Sequence, residues 1–201
     1  MQFINEKKIR ISRFLVSILF KINKNMAITS LAVFCGSKEG NDPLFCEHAR
    51  QLGYLLSEQN ITLVYGGSNK GIMGAIANAM LEKNGKVVGV MPKLLNGIEH
   101  SHFGISELHE TEDMHSRKKM IYAKADAALV LPGGYGTMDE LFEMLTWNQL
   151  EIHNKKIYIL NSGGFYDHLI AHLRMMESQN FLYRNITDKV TIANEPAELI
   201  F

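Results

Sequence analysis

The chain is poor in cysteine, has no long apolar run, and carries none of the usual metal-ligand spacings. Two cysteines in 201 residues exclude a disulfide-stapled secreted scaffold. Cys35 lies in an apolar run and Cys46 in a helical pattern, as expected of buried thiols in a reducing compartment. The apolar run Phe14–Phe20 has seven residues, against the roughly 20 needed to cross a bilayer. Lys21, Ile22, Asn23 and Lys24 follow it, so no small-residue cleavage site supports a signal peptide. Eight histidines are scattered without H-x-x-x-H or cysteine-pair spacing, and no metal is expected.

Charge of one sign is scarce overall, because 21 basic and 21 acidic residues cancel. The balance is uneven along the chain. Residues 1–30 carry Lys7, Lys8, Arg10, Arg13, Lys21 and Lys24 against Glu6, and the remainder carries 15 basic and 20 acidic groups. The body therefore lacks the broad basic stripe that nucleic-acid binding requires. The basic head leaves three readings open: an amphipathic helix touching membrane or a partner, a helix packed on the body, or an upstream extension of a chain whose functional start lies near Met26. Residues 1–28 are set apart as an N-terminal extension and residues 29–201 as one domain.

The composition is that of a globular protein, with 46% hydrophobic and 21% charged residues. From Ser30 onward, short apolar runs at 31–35, 61–65, 87–91, 127–131, 157–160 and 190–193 show little polar alternation. Such runs suit strands covered on both faces. Between them, 3.6-residue periodicity marks helices near 43–59, 71–84, 113–124, 137–150 and 164–179. This alternation predicts an α/β, Rossmann-like, doubly wound and mostly parallel sheet with helices on both faces. In such sheets ligands bind outside the carboxyl ends of the strands.

Three strand ends carry glycine punctuation: Cys35-Gly36-Ser37, Tyr65-Gly66-Gly67-Ser68 and Pro132-Gly133-Gly134-Tyr135-Gly136-Thr137. The last has three glycines in four positions and then opens a helix. Backbone can come close to a ligand there, and amides at the positive helix end favour an anion such as phosphate. It is neither a P-loop nor a G-x-G-x-x-G fingerprint. A tight turn that holds nothing is the plain alternative, as is close packing for Gly71 and Gly74.

The charged groups nearby are ambiguous when read locally. Glu140, three residues after Thr137, completes either a capping box or an acidic site. Arg117-Lys118-Lys119 reads as a solvated helix face or as a source of phosphate-binding Arg117. His115 is a possible acid or base, or structural.

Pro132-Gly-Gly-Tyr-Gly-Thr-Met-Asp-Glu140 and Asp113-Met-His-Ser-Arg-Lys118 together resemble the P-G-G-x-G-T-x-x-E and D-M-H-x-R-K motifs of the LOG ("lonely guy") family. These are cytokinin riboside 5′-monophosphate phosphoribohydrolases, often mislabelled lysine decarboxylases. The flanking segments Phe34–Ser37, Leu63–Gly67, Gly71–Gly74, Val88–Pro92 and Thr146–Gln149 are also similar, in order, from about Ser30 to the C-terminus.

The resemblance implies a cytoplasmic homodimer without cofactor. It would cleave the N-glycosidic bond of a purine or cytokinin nucleoside 5′-monophosphate, releasing free base and ribose 5-phosphate. It makes Arg117 and Glu140 the catalytic pair. It assigns phosphate to the turn Gly134, Tyr135, Gly136 and Thr137, and substrate contacts to Gly133, Glu99, Lys118 and Thr146. Thr146 lies six residues past Glu140 on a different helical face, which contact from a partner subunit would explain. Ser68 stands where family members often carry a third glycine, and no Ser-x-His-Lys segment supports a pyridoxal phosphate decarboxylase. The rival readings are a non-catalytic nucleotide-binding module on the same fold and a membrane-associated scaffold using the basic head.

Overall fold

Among the described residues, seven strands form one sheet in the order β4-β3-β2-β1-β5-β6-β7, and every strand pairing in it is parallel. They are β1 (Ser30–Phe34), β2 (Thr62–Tyr65), β3 (Val87–Pro92), β4 (Glu107–Thr111), β5 (Ala127–Val130), β6 (Ile157–Leu160) and β7 (Val190–Ala193). Five α-helices among the described residues connect them: α1 (Pro43–Glu58), α2 (Gly71–Glu82), α3 (Met114–Lys124), α4 (Tyr135–Gln149) and α5 (Asp167–Ser178). The structure, a computed structural model, describes residues 28–95 and 100–201. The basic head at residues 1–27 and the expected ribose contact Glu99 lie outside the described residues.

The unbroken apolar runs have a direct cause, since alternate residues of each central strand serve opposite layers. Leu31, Val33, Leu63, Tyr65 and Leu129 pack beneath α1 and α2 with Leu52, Leu56, Ile72 and Ile76. Ala32, Phe34, Val64, Val90, Ala128 and Val130 pack on the other face with Ile121, Leu141, Met144, Ile170 and Leu173 of α3, α4 and α5. Burying one of these Val, Leu, Ile, Phe or Met side chains contributes roughly 1.5–3 kcal/mol relative to leaving it exposed.

The apolar runs predict six strands, and the described residues form seven. The addition is β4, Glu-Leu-His-Glu-Thr, which among the described residues pairs only with β3 at the sheet edge and alternates between half-buried and exposed positions up to buried Thr111. An edge strand covered on one side has no need of a continuous apolar run, and charged residues on it discourage pairing with another chain.

The helices fall within a few residues of expectation. Asp42 caps α1, accepting from the Leu44 amide at 2.9 Å, with Pro43 at the first helical position. Asp113 caps α3 by accepting from the Ser116 amide at 2.7 Å. α4 starts two residues earlier than the 137 expected, with Gly134 as N-cap and no side chain capping it. Cys35 and Cys46 are buried and form no disulfide. No helix among the described residues is long and apolar enough to cross a membrane.

Sheet order reverses direction at β1, which lies between β2 and β5. Their carboxyl ends lead into Cys35-Gly36, Gly66-Gly67 and Pro132-Gly133, so all three glycine-punctuated ends meet at this switch point. The Gly36 amide donates to the Pro132 carbonyl at 3.0 Å and ties two of the loops together.

Candidate active site

A cavity of about 550 Å³ opens over the carboxyl ends of the strands. Its wall includes Cys35 and Gly36 after β1, Gly66 after β2, Met114 and Arg117 of α3, Gly133–Thr137, and Asp139 and Glu140 of α4. Phe45 and Phe165 close one side, with ring centroids 5.4 Å apart in an edge-to-face pair.

Arg117 and Glu140 form a buried ion pair in this wall. They are 6% and 7% exposed, and Arg117 Nη1 donates to Glu140 Oε1 at 3.0 Å. Arg117 Nε donates to the Val90 carbonyl of β3 at 3.1 Å, which fixes the plane of the guanidinium. Gly66 makes room for it, because a Cβ there would sit 2.3 Å from Arg117 Nη2. The solvated-face reading of Arg117-Lys118-Lys119 therefore fails for its first two members, which are buried, and holds for exposed Lys119. Burial raises the Glu140 carboxyl to about 7, and the Arg117 charge only partly offsets it.

The capping-box reading of Thr137 and Glu140 also fails. With α4 starting at Tyr135, Thr137 lies inside the first turn, and the Glu140 carboxylate turns to Arg117. Thr137 is buried against Gly133, where a Cβ would come 2.1 Å from Thr137 Oγ1, so the turn demands glycine at that position. At Gly134 and Gly136 a Cβ would meet nothing within 4 Å. The backbone there is open, and the uncapped first turn of α4 directs its amides and the positive helix end to the same place.

A second set of charges lies behind the pair. Lys118 Nζ donates to Asp139 Oδ2 at 3.0 Å and to Glu143 Oε2 at 2.8 Å. The Tyr122 hydroxyl donates to Glu143 Oε2 at 2.9 Å and also approaches the Glu140 carbonyl at 3.3 Å. Burial works against the Lys118 ammonium, but Glu143 and Asp139 outweigh it and raise its pKa. Sequence reading missed Tyr122, Asp139 and Glu143 as parts of this cluster. The available signal was spacing, since 118 and 122 on α3, and 139 and 143 on α4, each lie four apart on one helix face.

Other expected residues sit elsewhere. Tyr135 lines the cavity edge with its side chain 97% exposed. Thr146 is exposed and outside the cavity wall, as is His115. The Gly71–Gly74 loop serves packing: Gly71 has φ +59° and abuts the Ser37-Lys38 backbone, and Gly74 abuts Asn69. Among the described residues, no three His, Cys, Asp or Glu side chains cluster as a metal site.

Residues 73–201 match the protein family described as "possible lysine decarboxylase". A probable cytokinin riboside 5′-monophosphate phosphoribohydrolase of Oryza sativa subsp. japonica is 42% identical over 170 residues, covering 85% of this chain and 76% of the relative. The chain belongs to the LOG family. A cytokinin riboside 5′-monophosphate phosphoribohydrolase of Rhodococcoides fascians is 37% identical over 167 residues, covering 83% of this chain and 84% of the relative. One from Arabidopsis thaliana is 42% identical over 152 residues, covering 76% and 71%. The molybdenum cofactor binding protein of Rippkaea orientalis has the same fold, with TM-score 0.64 and 23% identity over 86% of this chain and 93% of that one.

Proposed function

We propose that this LOG-family chain hydrolyses the N-glycosidic bond of a purine or cytokinin nucleoside 5′-monophosphate, releasing free base and ribose 5-phosphate. The observation that carries this reading is the buried Arg117–Glu140 pair in the wall of a cavity that also holds the open glycine turn. The names of the relatives support the same substrate class.

The chemistry follows from the arrangement. Phosphate rests on the backbone of Gly133–Thr137 at the start of α4, which places the ribose toward Glu140. The C1′–N bond breaks with its electron pair leaving on the base. Positive charge builds on C1′ and the ring oxygen, and ionised Glu140 steadies it or orients the entering water. Water adds its oxygen to C1′, and its protons balance the sugar hydroxyl and the departing base. Arg117 holds Glu140 in place through the 3.0 Å contact and eases departure of the base. No step requires a cofactor.

The reading also includes a homodimer. Thr146 is exposed on α4 outside its own cavity, as suits a residue contributed to a partner's site. Two thiols without a disulfide suit a cytoplasmic location. Residues 29–201 constitute the catalytic domain and residues 1–28 an extension outside the chemistry.

The test is incubation with a panel of nucleoside 5′-monophosphates, AMP and isopentenyladenine ribotide among them, with chromatographic detection of freed base and ribose 5-phosphate. Release of both products is expected. Tight nucleotide binding without release would identify a non-catalytic binding module instead.

A further inference from the structure

The two helices that carry the ion pair meet along more than one contact. Arg117 faces Glu140, the adjacent Lys118 faces Asp139 and Glu143, and Tyr122 one turn later faces Glu143. α3 contributes the donors and α4 the acceptors. Lys118 is the central member: it is buried, it bonds carboxylates on both sides of Glu140, and it is absent from the cavity wall.

The geometry points to Lys118 as a positioning residue that acts through Glu140, keeping α4 registered on α3 and the Glu140 carboxylate ionised, and not as a ligand of the substrate. This rests on the hydrolase reading above and differs from the substrate contact that the family resemblance implies for Lys118. The physical argument is local charge balance. Asp139 and Glu143 place two carboxylates on α4 beside Glu140. Unneutralised, they would oppose a third negative charge in a buried site. Lys118 bonds both at 3.0 and 2.8 Å and adds a cation on the same side as Arg117. The Tyr122 hydroxyl satisfies Glu143 further, and among the described residues Lys38 is the other cation, besides Arg117, lining the cavity. The charges nearest Glu140 agree in direction: Asp139 pushes its carboxyl up, and Lys118, like Arg117, draws it down.

The experiment is the pH profile of kcat/KM for AMP hydrolysis, with KM measured separately on the alkaline plateau. Lys118→Met is expected to move the acid limb up by about one pH unit, a roughly tenfold loss of rate below the limb, with plateau KM within about twofold of wild type. Lys118→Arg restores the limb. Asp139→Asn, at an exposed residue, moves it the opposite way and decides the matter by itself where Lys118→Met does not fold. A tenfold or greater rise in KM for Lys118→Met with an unmoved limb would overturn the inference and make Lys118 a substrate ligand. An unmoved limb in Asp139→Asn would overturn it as well. Failure of the wild-type protein to free adenine would instead refute the hydrolase reading, so the two failures are distinguishable.

Discussion

Replacing Glu140 with glutamine tests the site most sharply. Glutamine keeps the shape and an Oε1 acceptor for Arg117 Nη1, so the cavity and the glycine turn keep their form. What is lost is one negative charge in a buried position. Removing a single preorganised group of this kind typically costs about 10²–10³-fold in kcat. AMP binding by calorimetry should survive within a few-fold, because the phosphate-bearing turn is untouched. The same carboxyl also ties stability to pH. Its pKa is raised from 4.5 to about 7, and at 1.36 kcal/mol per unit this amounts to about 3 kcal/mol. The folded state holds the proton more tightly than the unfolded chain does. This contribution is therefore fully present below pH 4.5 and is lost as pH rises through about 7. Activity runs the other way, because the ionised form does the chemistry, and wild-type turnover should climb to a plateau above pH 7. Denaturant melts of wild type and Glu140→Gln across this range should differ in slope, the variant lacking the decline. Near-normal adenine release by Glu140→Gln would refute the assignment of Glu140, and identical pH slopes would refute its raised pKa.

Gly66→Ala should displace the Arg117 guanidinium, since its Cβ would lie 2.3 Å from Nη2. Hydrolysis falling by about tenfold or more is expected, and unchanged kcat/KM would show that the guanidinium need not occupy this place. Thr146→Ala should raise KM only if α4 of one subunit reaches its partner's cavity, and sedimentation velocity on the wild-type protein should then give a dimer. A chain beginning at Met26 should hydrolyse AMP at the full-length rate, and loss of activity on that truncation would draw the basic head into the catalytic unit.

The central strands were legible because each is covered on two faces, which forces an unbroken apolar run. β4 was not, because an edge strand with exposed Glu and His positions carries no such constraint. The site divides along similar lines. Gly133–Thr137 announced itself locally, since close backbone approach needs glycines in consecutive positions. Arg117 and Glu140 had chemically suitable side chains, but their local context supported a polar face and a capping box equally well. Two facts of the structure, one local and one long-range, resolve them. α4 begins at Tyr135 because Gly134 supplies its N-cap, and this takes Thr137 out of the cap. Arg117 is held by a carbonyl of β3 and accommodated by a glycine after β2, neither of them close to it in sequence. Parallel topology brings these strand ends together, and no motif records that convergence. The resemblance to a family supplied the pairing of Arg117 with Glu140 without its cause. Its cause is that Gly66 leaves a side chain's worth of space at the switch point, which the guanidinium fills while Glu140 balances its charge.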